Sequence, residues 1–339
     1  MKYDVIIIGA GPAGLNCAKI LGDNGKKVLL LEKNNVIGTK VCAGALTGKD
    51  LKYLNLPEAI LDGKFNTITF HAGKTKYGFH LDYDFIYTID RKKLGNWQFE
   101  QLNRKNVDVK TGVNILEIGQ DFIIYDSEKI YFSYLVGADG SGSIARKHLN
   151  LPIEKLDVAI QYIIPTNQYN NMEVFYNSKL FHSWYSWIFP HNGYTSIGCG
   201  VNPKYVDSTK LQQNFHQWLE ENKINIADAK YEAFFINYDF KGYKFNNIFL
   251  IGDAAGLASG FTGEGIYQAL ISGEEIARLI IDKNYVPEKL NQIIAKNKTH
   301  EKILSLLIHL GPFRDLTYKF IGFFLSKKYF AQKAVSVLT

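Results

Sequence analysis

At 339 residues the chain is long enough for about two packed units. Its three cysteines, Cys17, Cys42 and Cys199, are odd in number and far apart, which excludes a disulfide scaffold, and no Cys/His cluster has zinc-site spacing, so no metal is expected. With 46% hydrophobic and 21% charged residues, a mean hydropathy of −0.12 and no apolar run of about 18 residues, the chain can build a core but not an ordinary membrane span.

The net charge of +6 is unevenly placed. From Lys283 onward ten lysines and arginines stand against three acids, an excess of +7, so the rest of the chain is close to neutral. That is a basic tail on a neutral body and argues against nucleic acid as a partner. The run Val5–Ile8 is too short for the apolar segment of a signal peptide. A reducing, cytoplasmic setting without export is expected.

The opening reads as strand, tight turn, helix, strand. Tyr3–Ile8 is apolar, Gly9-Ala10-Gly11-Pro12-Ala13-Gly14 makes the turn, Leu15–Leu21 is amphipathic, and Lys27–Leu31 ends at Glu32. From Asn34 to about Phe85 glycines break the pattern, with one helical signal at Thr47–Leu54. Asp90 is placed to cap a helix running through Leu94, Trp97, Phe99 and Leu102. Strand-like segments follow near Val107, at Val113–Ile118 and at Phe122–Tyr125, and Tyr134–Val136 enters Gly137-Ala138-Asp139-Gly140. Val158–Gly200 is rich in β-branched and aromatic residues without helical periodicity, which predicts a separate antiparallel sheet. Ile248–Ile251 is a buried strand by pattern, Gly263–Ile281 a long helix, and the chain after Pro287 is helical. There is no repeat and no low-complexity linker, so two interleaved domains are expected.

The first turn has a physical purpose. Gly9, Gly11 and Gly14 let a diphosphate approach backbone N–H groups at a helix N-terminus, whose partial positive charge favours an anion. Glu32, at the end of the next strand, is placed to accept from a ribose, and an acid there favours an unphosphorylated ribose, as in FAD or NAD. Other residues admit two readings each. Cys42 is either a packed thiol or a functional one; Tyr185, Trp187 and Phe189 alternate along a strand as either an aromatic core face or a substrate wall. Thr262 can cap a helix. The eight histidines have no ligand spacing and read as structural.

Two further motifs bear on the cofactor. Gly137-Ala138-Asp139-Gly140-Ser141-Gly142-Ser143 with Arg146, and Ile251-Gly252-Asp253-Ala254-Ala255-Gly256 followed by Gly263-Glu264-Gly265, resemble the second and third fingerprints of the flavoprotein family typified by p-hydroxybenzoate hydroxylase. That resemblance implies FAD. Lys40-Val41-Cys42-Ala43-Gly44-Ala45-Leu46, Tyr185-Ser186-Trp187-Ile188-Phe189-Pro190 and Leu257–Gly265, with Thr262-Gly263-Glu264-Gly265, resemble, more narrowly, the geranylgeranyl reductase family, over most of the chain. Flavin-dependent halogenases carry a comparable W-x-W-x-I-P strand, but Trp184 and Trp187 do not have that spacing.

The resemblance implies a Rossmann-type FAD-binding domain, α/β within an α+β whole, formed by 1–70, 86–155 and 245–285. It is interleaved with an antiparallel-sheet substrate domain of 71–85 and 156–244 and followed by a C-terminal helical region, 286–339. It implies cofactor contacts at Gly9, Gly11, Ala13, Gly14, Glu32, Lys33, Cys42, Ala43, Arg91, Asp139, Gly140, Gly252, Asp253, Gly263, Gly265 and Ile266. Catalysis would fall to Cys42 and Tyr185, and substrate binding to Tyr185, Trp187, Phe189 and Pro190. The implied activity is reduction of C=C bonds in an isoprenoid lipid, with NAD(P)H or a ferredoxin-like protein as electron donor. The alternatives are an FAD monooxygenase of an aromatic or quinone and a lipid-binding flavoprotein without catalysis. The basic, apolar tail is expected either to pack on the body or to meet an anionic membrane surface at its inner face.

Overall fold

The computed structural model describes residues 2–338; Met1 and Thr339, the ends of the first and last expected segments, lie outside the described residues. Two compact units form. One comprises the chain up to Lys40, Arg91–Leu156 and Ile236–Glu301; the other comprises Val41–Asp90, Asp157–Phe235 and the chain from Lys302.

In the first unit, strand Lys2–Ile8 pairs in parallel with Val28–Leu31 on one side and Glu128–Gly137 on the other. Val107–Lys110 extends the sheet beyond Val28–Leu31, and Ile248–Leu250 extends it beyond Glu128–Gly137, again in parallel. Val28–Leu31 is buried throughout, as expected of a strand covered on both faces. Ile115–Ile118 and Phe122–Tyr125 fold back antiparallel as a meander on Glu128–Gly137. Helix Pro12–Asp23 starts with proline in its first turn, where a missing N–H costs nothing. It lies backbone to backbone against helix Ile266–Ile281: a Cβ on Gly273 would stand 2.5 Å from the Ala13 carbonyl oxygen. That second helix begins three residues later than the sequence suggests, because Gly263 has φ +71° and Gly265 is its N-cap.

The second unit is built on a seven-stranded sheet in the order Lys230–Asn237, Leu156–Ile164, Thr195–Val201, Ser186–Pro190, Met172–Tyr176, Thr67–Ala72, Thr75–His80. It is not wholly antiparallel: Met172–Tyr176 and Thr67–Ala72 run in parallel, because they come from distant segments and no hairpin fixes their sense. One face buries Ile160, Ile188, Ile197 and Cys199 against Phe215 and Trp218 of helix Ser208–Glu221. Beside the sheet, Ile86–Thr88 pairs with both Ala45–Thr47 and Gly63–Phe65. Those pairings, with Thr67–Ala72, put 41–70 and 86–90 in this unit and not with the cofactor segments, where the sequence placed them. At the other boundaries, 236–244 and 286–301 join the first unit, and the chain from Lys302, expected as part of a separate C-terminal region, joins the second.

The tail is helical as expected, in Glu288–His309, Arg314–Leu325 and Lys328–Leu338. Among the described residues no helix is long and apolar enough to cross a membrane.

Gly273→Ala should push the two crossing helices apart. Overpacking of this kind costs about 1 to 3 kcal/mol, read as a lower urea midpoint at unchanged slope; an unchanged midpoint would mean that the helices separate freely.

Candidate functional site

Three turns converge in the first unit. Gly9 has φ +103°, and a Cβ there would meet the Ala138 carbonyl oxygen at 2.4 Å; one on Gly14 would meet the Gly9 oxygen at 1.9 Å. Gly9 therefore lets the first turn close on the backbone of the second, and Gly14 lets the helix start close on Gly9. Gly11 differs: nothing lies within 4 Å of its added Cβ, so its surface, at the N-cap of Pro12–Asp23, is open to a ligand. Glu32 is held in place, one oxygen accepting from the Ala10 amide at 2.9 Å and the other from the Asn34 amide and side chain at 2.9 and 2.8 Å.

The second turn leads into helix Ile144–His148, where one carboxylate oxygen of Asp139 accepts from the amides of Ile144 and Ala145 at 2.7 and 3.3 Å. The other oxygen is buried without a hydrogen-bond partner, and burial raises the pKa of the group. Gly140 has φ +76°.

The third turn enters at Gly252, φ +57°, whose added Cβ would sit 3.3 Å from the Ala13 side chain. Asp253 pairs with Lys40 at 2.5 Å and accepts from Ser141 at 3.4 Å, while its backbone carbonyl accepts from Asn237 at 2.8 Å. A Cβ on Gly265 would stand 3.4 Å from the Asp253 carboxylate, so the N-terminus of Ile266–Ile281, which has no side-chain cap, opens beside it.

Arg146, 1% exposed, ties the second turn to the third. Its guanidinium donates to the carbonyls of Leu151, Pro152 and Ala254 and to Asp239 at 3.2 Å. Burial lowers its pKa and Asp239 opposes that shift. Arg91, the first residue of helix Arg91–Glu100, carries a buried Nε with no hydrogen-bond partner. An orphaned donor of that kind suits an anionic group. Lys33 is exposed.

The second unit gathers the remaining candidates. Cys42 is half-buried, and its Sγ accepts from the Gly44 amide at 3.4 Å. The Cys42 carbonyl accepts from Gln161, whose side-chain oxygen accepts from Ser196; Ser196 in turn accepts from the indole N–H of Trp187, with the last two bonds at 3.0 Å. Two residues thus link Cys42 to Trp187. The Trp187 ring lies across Gly198, where any Cβ would stand 2.3 Å from it, and Phe189 follows at 6.1 Å between centroids. Tyr185 precedes the strand and is half-buried, with its ring near Trp184, Trp187 and Tyr176. The Pro190 carbonyl accepts from Thr88 at 2.7 Å.

His191, read from the sequence as merely structural, anchors the cysteine loop. Its Nε2 donates to the Ala43 carbonyl and its Nδ1 faces Asp62, each at 3.0 Å, with His191 and Asp62 side chains both 1% exposed. Gly44, φ +79°, leaves no room for a side chain against this ring. Tyr194 stacks on the ring at 4.4 Å, and burial with the nearby Asp90 and Asp62 raises the phenol pKa. Among the described residues no cluster of metal-ligating side chains occurs.

Residues 7–54 match the family model of the NAD(P)-binding Rossmann-like domain. Geranylgeranyl diphosphate reductase of Rhodobacter capsulatus is 26% identical, covering 82% of this chain and 74% of that protein. Digeranylgeranylglycerophospholipid reductase of Methanococcus vannielii is 27% identical, covering 94% and 86%. This chain is a homologue of proteins named geranylgeranyl reductases. A geranylgeranyl bacteriochlorophyll reductase-like structure from Thermoplasma acidophilum shares the fold of this chain, at TM-score 0.78 and 18% identity over 99% of this chain and 96% of the other. The structure of a probable FAD-dependent monooxygenase from Pseudomonas aeruginosa shares it too, at TM-score 0.70 and 14% identity over 98% and 99%.

Sequence reading did not find the Lys40–Asp253 pair, Asn237 or the Asp62–His191 pair as parts of these sites. His191→Ala should release the Ala43 carbonyl and strand Asp62, at a cost of about 3 to 5 kcal/mol. In folded protein the Cys42 thiol should then be alkylated faster by iodoacetamide, and His191→Gln, which can still donate to Ala43, should lose less. Equal alkylation rates in all three proteins would show that the pair does not hold the loop.

Proposed function

We propose that this chain is an FAD-dependent oxidoreductase that saturates C=C bonds in an isoprenoid chain of geranylgeranyl type. The observation that carries the reading is the joint presence of a three-turn dinucleotide cradle and likeness, over most of the chain, to proteins named as reductases of geranylgeranyl lipids. Trp187 and Phe189 are buried, at 3% and 8% exposure, beside the half-buried Tyr185; these aromatics would suit a long hydrocarbon, which offers only apolar surface to recognise.

The residues present fit FAD. Glu32 would hold the adenosine ribose; the open surface at Gly11 and the orphaned Arg91 Nε suit the diphosphate. Asp253 would accept from the ribityl chain, and the uncapped N-terminus at Gly265 and Ile266 would favour negative charge on the ring. Lys40 would exchange its partner Asp253 for a phosphate or share it. When bound and reduced, the flavin supplies hydride to one alkene carbon.

The chain supplies the rest. An unactivated alkene has no carbonyl to store developing charge, so a proton must reach the second carbon as hydride reaches the first. Cys42 Sγ is the proposed donor, with Tyr185 as its rival. The Gly44 N–H directed at Sγ stabilises the thiolate left behind, which water then reprotonates. Trp187, Phe189 and Pro190 align the chain and exclude water. The electron donor is proposed to be a transiently bound NAD(P)H or a ferredoxin-like protein.

The monooxygenase-like fold neighbour favours a second reading, oxygenation of an aromatic or quinone. One experiment separates the two: dithionite-reduced protein is mixed anaerobically with geranylgeranyl lipids. A mass gain of two hydrogens per bond is expected; no gain with any prenyl lipid, together with oxygen incorporation into an aromatic under air, overturns the reductase.

Purified protein should carry one FAD, and Glu32→Ala should weaken it by roughly 1.5 to 3 kcal/mol, as for a hydrogen bond to a charged group; colourless protein that binds NAD instead contradicts the assignment. Cys42→Ser should retain flavin and lose alkene reduction. Unchanged turnover would make Cys42 a packing residue.

A further inference from the structure

Helix Arg314–Leu325 is amphipathic in the reverse sense for a helix on a protein body. Its inward face carries Arg314, Tyr318 and Gly322, all buried, and a Cβ on Gly322 would collide with the Tyr77 ring at 2.4 Å. The side turned to solvent is the apolar one: Phe313, Leu316, Phe320 and Phe323, spaced three or four residues apart, are 67%, 51%, 57% and 50% exposed.

The patch continues past the helix end. Phe323 and Phe324 meet at 5.8 Å between centroids, and Phe324 meets Phe330 of the next helix at 5.3 Å. A contiguous exposed aromatic surface of this kind marks an interaction site.

Charge identifies the occupant. From Leu316 to Lys333 the sequence holds four lysines and no acid. Lys319 and Lys327 are exposed within the patch, and Lys327 lies over the Phe323 ring at 5.1 Å. Lys328 is paired with Asp82. The nearest acid on the helix, Asp315, accepts from the Ser178 amide at 3.1 Å, turned to the protein body. Exposed Phe and Leu with flanking lysines match the boundary of an anionic bilayer, where rings enter the acyl edge and ammonium groups reach phosphates. Twelve residues span about 18 Å, well short of the roughly 30 Å hydrocarbon core, so the helix can lie on a bilayer and not cross it.

We propose that the face formed by Phe313, Leu316, Phe320, Phe323 and the adjoining aromatics docks this protein on an anionic lipid surface. The proposal rests on this surface alone and stands or falls apart from the alkene chemistry.

Co-sedimentation with phosphatidylcholine vesicles, with and without about 30% phosphatidylglycerol, tests it on the full chain. Binding should be at least about tenfold tighter to the anionic vesicles and weaken at high salt. Phe320→Ser/Phe323→Ser should weaken it about tenfold or more, and Lys319→Glu/Lys327→Glu should remove the preference for anionic lipid. All four positions are exposed, so these variants should fold; circular dichroism and a urea midpoint equal to wild type confirm it. No binding by folded wild type, or equal binding to neutral and anionic vesicles, overturns the proposal. So does concentration-dependent dimerisation that Phe320→Ser/Phe323→Ser abolishes, because the face then belongs to a second copy.

Discussion

Turns at 9–14, 137–143 and 252–256 lie far apart in the sequence and must be in register before any of them can act on a ligand. The group that holds the last two together is the Arg146 guanidinium. It reaches Ala254 in one turn from a helix that begins in the other, while Asp239 balances its charge and also accepts from the Glu154 amide at 3.0 Å. A buried cation of this kind is tolerable only because four acceptors surround it. Loss of any one would leave desolvated charge behind, so the surrounding loops have little freedom to drift. The first turn is brought into the same frame by sterics instead. Gly9 allows an approach to the Ala138 backbone that any side chain would block.

The second unit uses the same economy with neutral groups. Its sheet buries one face under a helix in the ordinary way, and on the other face Gln161 and Ser196 pass hydrogen bonds from an indole to the backbone of the cysteine loop. Because each donor in that relay has an acceptor, the ring of Trp187 is fixed in orientation as well as position. Although 42–44 belongs to no helix or strand, two of its backbone carbonyls are tied down, by that relay at Cys42 and by His191 at Ala43.

The parallel core of the first unit was legible in the sequence because its signals are local. Apolar runs such as Val28–Leu31, the glycine turn and Glu32 lie within one βαβ unit, and the order of the three turns repeats a known pattern. What escaped reading is non-local. Lys40 and Asp253 are 213 positions apart, and His191 and Asp62 are 129 apart. A histidine between a proline and an asparagine has nothing in its neighbourhood to announce a buried carboxylate. Segment 41–70 was misplaced for a related reason, since strand pairing decides which unit a short strand joins, and that partner lies elsewhere in the chain.

The parallel junction of the second sheet also bears on how the protein is made. Ile68 pairs across from Met172, so when the Thr67–Ala72 strand leaves the ribosome its partner has yet to be synthesised. At about 5 to 20 residues per second, one edge of the early hairpin Thr67–His80 stays uncovered for roughly 5 to 20 seconds, presenting unpaired amides and carbonyls to any neighbour. The threading that lets two units share one chain thus leaves a nascent edge to be shielded, and folding of the second unit cannot finish until much of the first has been translated.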